Sequence, residues 1–288
     1  MTGRIAVALV SVLVVVAPVP AVAAPETDAL RGPSVLDGRV VVIDPGHQLG
    51  NRNFPRRIKR LVPAGGFRKP CNTTGTATNG GYPEASLTWD VALRLRERLR
   101  ALGAEVRMTR HSNRPDRWGP CVDERGRAGN RLDDGGAADL KISIHADGSF
   151  ARGAHGFHVI APPDRRPWTH DIFRSSRRFA LATRAALVDR GLTRATYVAG
   201  GDGLDVRRDL GTLNLSDVPT VMVELGNMRH PRDAATMSRG RGRERYARAL
   251  ATAVRRFLAL EKCQVTVSPC RNGYGSREHP RAFARLPS

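Results

Sequence analysis

The stretch VVVIDPGHQLG, Val40 to Gly50, frames the reading of the whole chain. Four apolar β-branched residues in a row suit a strand buried within a sheet. The run breaks at Asp44-Pro45-Gly46, a turn sequence, and delivers His47 just beyond the strand. A lone histidine in that place ordinarily caps a turn. Its meaning therefore depends on what else in the chain can meet it.

Outward from this strand, placed at Arg39–Ile43, strands and helices alternate. PEASLTWDVALRLRERLRALG (83–103) carries Leu87, Val91, Leu95, Leu99 and Leu102 on one helical face. Pro83 suits the first helical position, and Gly103 suits the stop. GAEVRMTR (103–110) reads as a second strand and DERGRAGNRL (123–132) as a second helix weakened by its glycines. DLKISIH (139–145) and HGFHVIA (155–161) follow as strands, and SSRRFALATRAALVDRGL (175–192) as a helix. VPTVMVELG (218–226) is almost continuously apolar and belongs at the centre of a sheet. GRERYARALATAVRRFLALEK (242–262) closes the series as a helix. This order predicts a single α/β domain with a mostly parallel twisted sheet flanked by helices, spanning 39–262.

Residues 49–83 interrupt the pattern with a long basic segment. Such loops are often functional. Within it RRIKRLVPAGGFRKP (56–70) places Pro-Ala-Gly-Gly between two short runs, the signature of a β-hairpin. This insertion is expected to act as a lid or substrate wall.

The two ends read differently. Residues 1–23 combine Arg4, an apolar run and the small-x-small pattern Ala21-Val22-Ala23 of a cleaved secretory signal. The run is too short and too proline-broken for a permanent anchor. A linker (24–38) follows, and 263–288 forms an irregular basic tail. The chain is thus expected outside the cytoplasmic membrane, in periplasm or cell wall. Four cysteines in an oxidising compartment favour two disulfides. Proximity suggests Cys263–Cys270, leaving Cys71–Cys121; a four-cysteine zinc site lacks the C-x2-C spacing.

The formal net charge of +20 over 288 residues attracts polyanions. No zinc-finger, RRM or KH pattern appears and aromatics are only 5% of residues, which argues against nucleic acid. An anionic cell-envelope polymer or a plainly solvated surface remains. A monomer is expected.

In open α/β sheets chemistry gathers beyond the C-terminal ends of the strands. His47, His145 and Glu224 sit at such ends, and Glu84 sits in the first turn of a helix. Two histidines and one carboxylate form a zinc set with a position left for water, and the other carboxylate is then the natural general base. An unpaired glutamate ending Val221-Met222-Val223 is costly and demands a reason. His155 and His158, three apart, face opposite ways; His111, His170, His230 and His279 lie in polar loops and read as surface residues. No G-x-S-x-G elbow supports serine catalysis.

With these residues in hand, the chain resembles the zinc-dependent N-acetylmuramoyl-L-alanine amidases of the amidase-3 class. The resemblance is carried by VVIDPGHQ (41–48), PEASLTWDVALRLRERL (83–99), VRMTRHS (106–112), ERGRAGN (124–130), ADLKISIHADG (138–148) and DLGTLNLSDVPTVMVELGNM (209–228). It implies one Zn2+ held by His47, Glu84 and His145, with Glu224 as the catalytic carboxylate. The implied substrate is peptidoglycan or its muropeptide fragments, cut between muramic acid and L-alanine. Asp147, where the family commonly has asparagine, and Asn227-Met228 depart from its pattern. Another zinc hydrolase of the wall, a peptidase or deacetylase, and a non-catalytic wall binder are the rival readings.

Overall fold

A computed structural model describes residues 34–265, with side chains to Glu261. The expected signal (1–23), most of the linker, the basic tail and the Cys263–Cys270 pairing lie outside the described residues. Leu36, near the linker's end, is already buried in the core, and its amide donates to Leu102 O at 2.8 Å.

Six strands form one sheet in the order β4-β1-β5-β8-β6-β7. They are β1 (Val40–Pro45), β4 (Glu105–Met108), β5 (Leu140–Asp147), β6 (His158–Ala161), β7 (Leu204–Val206) and β8 (Thr220–Asn227). All pairings are parallel except β6 against β8. The apolar run expected at the centre is β8, between β5 and β6. A separate two-stranded hairpin, β2 (Leu61–Pro63) against β3 (Arg68–Pro70), lies in the 49–83 insertion, after the short helix α1 (Pro55–Lys59).

Because side chains alternate along a strand, the sheet has two faces of different chemistry. Val41, Ile43, Leu140, Ile142, Ile144, Val159, Val221 and Val223 share one continuous apolar cluster. The helices that cover it are α2 (Glu84–Ala101), α4 (Phe173–Asp189) and α7 (Gly240–Val265). Leu87, Val91, Leu95 and Leu99 of α2 are fully buried there, the stripe the spacing predicts. The alternate positions carry Asp44, Lys141, Ser143, His145, His158 and Glu224. Two short helices, α3 (Val122–Arg127) and α5 (Gly211–Asn214), pack together against this second face, and α6 (Pro231–Ser238) precedes α7.

Four local expectations change. The strand expected over 155–161 starts only at His158, with Gly156 at φ +90° breaking the extended run before it. β1 continues through Pro45, two residues past the expected end, so the turn falls at Gly46 and His47. Pro83 is the residue before α2 rather than its first. The helix expected over 123–132 stops at Arg127. Gly129 has φ +90°, and a side chain there would stand 2.8 Å from Val42 Cγ2. The chain must turn away at that point.

Candidate metal and catalytic site

Three side chains converge near the C-terminal ends of β1 and β5, His145 from within β5 itself, two residues before its end. His47 Nε2 lies 3.1 Å from Glu84 Oε1, and His145 Nδ1 lies 3.0 Å from the same oxygen. The two imidazoles meet edge to face with centroids 4.8 Å apart. Potential ligand atoms of all three lie within 4.8 Å of one another, a group that could hold a metal ion.

Each member is pinned by its element. His47 sits at φ 57°, a left-handed conformation uncommon outside glycine. Arg125 Nη2 donates to its carbonyl at 2.7 Å, and Thr73 O lies 3.2 Å from its Nδ1. Asn51 Nδ2 donates to the same Thr73 O at 2.7 Å, so the insertion is tied to the first histidine. Glu84 opens α2, where the helix dipole favours a carboxylate. Thr76 N donates to its Oε2 at 2.9 Å and Ala146 N to its Oε1 at 3.1 Å. Burial opposes its ionisation, but the charge of His47 and hydrogen bonds with His145 and His47 outweigh burial and hold the carboxyl well below its usual range. Burial pushes His145 down toward the neutral, ligating form.

Glu224 faces the cluster from the next strand. It pairs in register with His145 across β5–β8 and with His158 across β8–β6, so the three Cβ atoms leave the same face side by side. Its Oε2 is buried without a hydrogen-bond partner among the described residues. Burial, then repulsion from Glu84 and Asp147, raises its pKa well above the ordinary carboxylate value, and Arg207 offsets this only in part. A cavity of about 390 Å³ touches His47, Glu84, His145 and Glu224 together, with Lys69 and Asp147 on its rim.

Behind the histidine turn stands a buried ion pair. Arg125 Nη1 donates to Asp44 Oδ1 at 2.5 Å and to Pro45 O at 2.7 Å. Thr109 and Ser143 hydroxyls donate to the two oxygens of Asp44, each at 2.6 Å. Burial opposes the charge, but Arg125 and the two hydroxyls hold the Asp44 carboxyl far below its usual range. From the other side Arg110 donates to Pro45 O at 3.1 Å and to Ala85 O at 2.9 Å. A disulfide joins Cys71, just after the hairpin, to Cys121, just before α3.

The region 41–256, three quarters of the chain, matches the amidase-3 family model, described as N-acetylmuramoyl-L-alanine amidase. The chain belongs to this family. An N-acetylmuramoyl-L-alanine amidase of Mycobacterium tuberculosis is 42% identical over 238 residues, 82% of this chain and 92% of the relative. The crystal structure of an N-acetylmuramyl-L-alanine amidase of Mycobacterium smegmatis superposes with a TM-score of 0.71 at 40% identity, covering 78% of this chain and 99% of that one. An amidase of Nostoc punctiforme shares the fold, with a TM-score of 0.55 at 18% identity over 77% of this chain and 97% of that one.

The departures from the amidase-3 pattern have structural uses. Asp147 accepts from the Tyr197 hydroxyl at 3.0 Å beside the cavity. Asn227 Nδ2 donates to Ser149 O at 2.9 Å and Ala154 O at 2.7 Å, fastening the loop after β5. Met228 is fully buried in the core. His155, His111 and His170 lie toward solvent, and His155 stacks on His230 with centroids 4.8 Å apart. His279 lies outside the described residues. His158 opens β6 while His155 lies before the strand, and His158 was not legible as part of the site. It is buried beside Glu224, its Nδ1 has no partner among the described residues, and its ring meets Tyr197 edge to face at 6.3 Å. Its signal was available only in register, two strands away from His145. Arg125 falls in the ERGRAGN stretch, but its role was hidden, because its partners, the Asp44 carboxylate and the carbonyls of Pro45 and His47, lie far off in sequence.

Proposed function

We propose that this chain hydrolyses the amide joining N-acetylmuramic acid to the L-alanine of the peptidoglycan stem peptide. The observation that carries the reading is one cavity holding a His-Glu-His group and, one strand away, the unpartnered Oε2 of Glu224. The donor set fits zinc: two imidazoles and a carboxylate in a buried pocket, with an oriented acceptor left over for a reacting water. His47, Glu84 and His145 would hold one Zn2+, which lowers the pKa of water and polarises a carbonyl when bound.

The remaining roles fall to the chain itself. Glu224 Oε2 takes the proton of the attacking water and passes it to the departing amine nitrogen. Its raised pKa suits the first half of that exchange, since a carboxylate of ordinary pKa is a weaker base toward water. Arg125 and Thr73 hold His47 in its unusual turn, and Thr76 and Ala146 amides fix the rotamer of Glu84. Lys69 and Pro70 of the hairpin wall the cavity, and the disulfide after them fastens that wall. The residue 1–23 segment supports export, and the high positive charge supports residence beside anionic wall polymers in periplasm or cell wall, where a monomer would serve turnover of peptidoglycan.

Digestion of purified peptidoglycan with the full chain, with and without chelator, followed by mass spectrometry, tests this. Free stem peptides beginning with L-alanine, lost on chelation, are expected. Cross-bridge cleavage would indicate a peptidase, loss of acetyl groups a deacetylase, and absence of products a binding protein.

A further inference from the structure

A second cavity of about 370 Å³ opens on the other side of the hairpin, lined by Phe67, Arg165, Arg208 and Asp209. It shares a wall with the catalytic cavity. Phe67 and Asp209 face the second; their near neighbours Lys69 and Leu210 face the first. Lys69 Nζ donates to Asp209 O at 2.7 Å and so ties the wall together. Two residues of extended chain, about 7 Å, separate one side from the other.

The charges in this second cavity do not balance. The Asp209 carboxylate is spent on a two-bonded contact with Arg207, at 2.9 and 2.7 Å, with Lys69 Nζ 3.8 Å away. Asp164, beside Arg165 in sequence, is turned to His170 Nδ1 at 2.7 Å. Among the described residues neither Arg165 nor Arg208 has a carboxylate partner, and Arg165 Nη1 is buried with no hydrogen-bond partner at all. The hairpin turn packs onto Arg165 so closely that a side chain at Gly66 would stand 2.5 Å from Arg165 Nη2 and 3.1 Å from Trp168 Nε1. Gly66 has φ +85°, so the turn requires glycine. Two guanidinium groups without carboxylate partners, lining one cavity, suit a planar carboxylate.

We infer that the Arg165–Arg208 cavity is a carboxylate subsite for the peptide part of the substrate. The inference rests on the amidase reading above and gives the substrate a direction. The muramic acid carboxyl is consumed in the scissile amide, so the free carboxylates of the substrate lie in its peptide. The peptide therefore runs from the metal cluster over Lys69 toward Phe67, and the glycan leaves the opposite way.

The test uses two N-acetylmuramoyl tripeptides with uncharged side chains, one ending in a free carboxylate and one in a carboxamide. For the unaltered protein KM should be about tenfold lower for the acid, the size of a good charge-assisted contact, with kcat little different. In Arg165→Gln combined with Arg208→Gln the acid should lose that advantage, while thermal unfolding reports whether the variant is folded. Arg208→Gln alone, at an exposed position, should lose part of it. Equal KM for acid and amide in the unaltered protein, or an equal KM rise for both in the variants, overturns the subsite. If neither substrate is cut, the amidase reading has failed instead. Calorimetric titration with the two free tripeptides still decides the subsite, because binding of acid over amide supports it and equal binding overturns it.

Discussion

Gly46 and His145 touch so closely that the histidine depends on the glycine's missing side chain. A Cβ on Gly46 would stand 2.6 Å from His145 Nδ1 and 2.7 Å from Nε2. The ring has nowhere to withdraw, because Glu84 and His47 hold its other side. Gly46→Ala should therefore displace a ligand without touching any hydrophobic packing. Metal affinity measured by competition with a chromophoric chelator should fall about 10- to 100-fold, as for other disturbed ligand supports, while thermal unfolding of the metal-free protein changes little. Unchanged affinity would show that His145 is not a ligand.

Glu224→Gln separates metal binding from catalysis. The amide keeps the size of the side chain and removes the proton acceptor. Zinc content, read by elemental analysis, should stay at one ion per chain. Turnover should fall about 10²- to 10⁴-fold, the usual worth of a positioned acid–base group. A rate near that of the unaltered protein would remove Glu224 from the chemistry.

Glu84→Ala should act the other way and lose the ion. Chelation of the unaltered protein should also lower its melting temperature, with recovery on adding Zn2+, because a ligand bound only to the folded state stabilises it by mass action. In the Glu84→Ala variant the melting temperature should no longer respond to zinc. A full response in the variant would place the ion elsewhere.

Asp44 and Arg125 form a pair in which neither charge reaches water. Asp44→Asn leaves the Arg125 charge uncompensated under the His47 turn. A loss of about 3 kcal/mol or more in unfolding free energy, from urea titration, is expected. The folded-state pKa of Asp44 is depressed, so its contribution is present above the ordinary carboxylate pKa and fades as pH falls toward the folded value. The variant should therefore lose less stability than the unaltered protein on acidification.

Lys141 points the opposite way. It is fully buried on the site face and donates to the carbonyls of Arg125 (3.1 Å) and Gly126. Burial pushes its pKa down from 10.5 to about 7, which Asp44 and Asp217 offset only in part. Between these values the unfolded chain binds the proton and the folded chain does not, so stability should rise with pH. Above about pH 9 Arg110, lowered to about 9, joins in, so the window to measure is pH 7 to 9. Lys141→Met should flatten the rise in the urea midpoint across that window. Identical slopes would refute this account.

The strands that lead to the site were legible from their apolar pattern. Val40–Ile43 is an unbroken run ending four residues before His47, Leu140–Ile144 alternates up to His145, and Val221–Val223 stops just before Glu224. The hairpin too was written locally, in Pro63-Ala64-Gly65-Gly66. What could not be read was whatever depends on distant partners. The left-handed turn of His47 is held by Arg125, 78 residues away. α3 is cut short by the approach of Gly129 to Val42. His158 joins the site only through the antiparallel pairing of β6, and the Arg165–Arg208 cavity exists only once the hairpin lies on Arg165. Short elements such as β7 and α5 carry too few residues to show a period.

The two-faced alternation of the sheet has one more consequence. In β8 the apolar Val221, Val223 and Leu225 point one way and Glu224 the other. A slip of β8 by one residue against β5 would carry Glu224 into the greasy layer under α4 and α7 and turn Val223 toward the cavity. Such a chain would forfeit its core before it could present a misplaced carboxylate. Folding thus proofreads the site: any molecule stable enough to persist has, by the same packing, the Glu224 carboxyl aligned with His145.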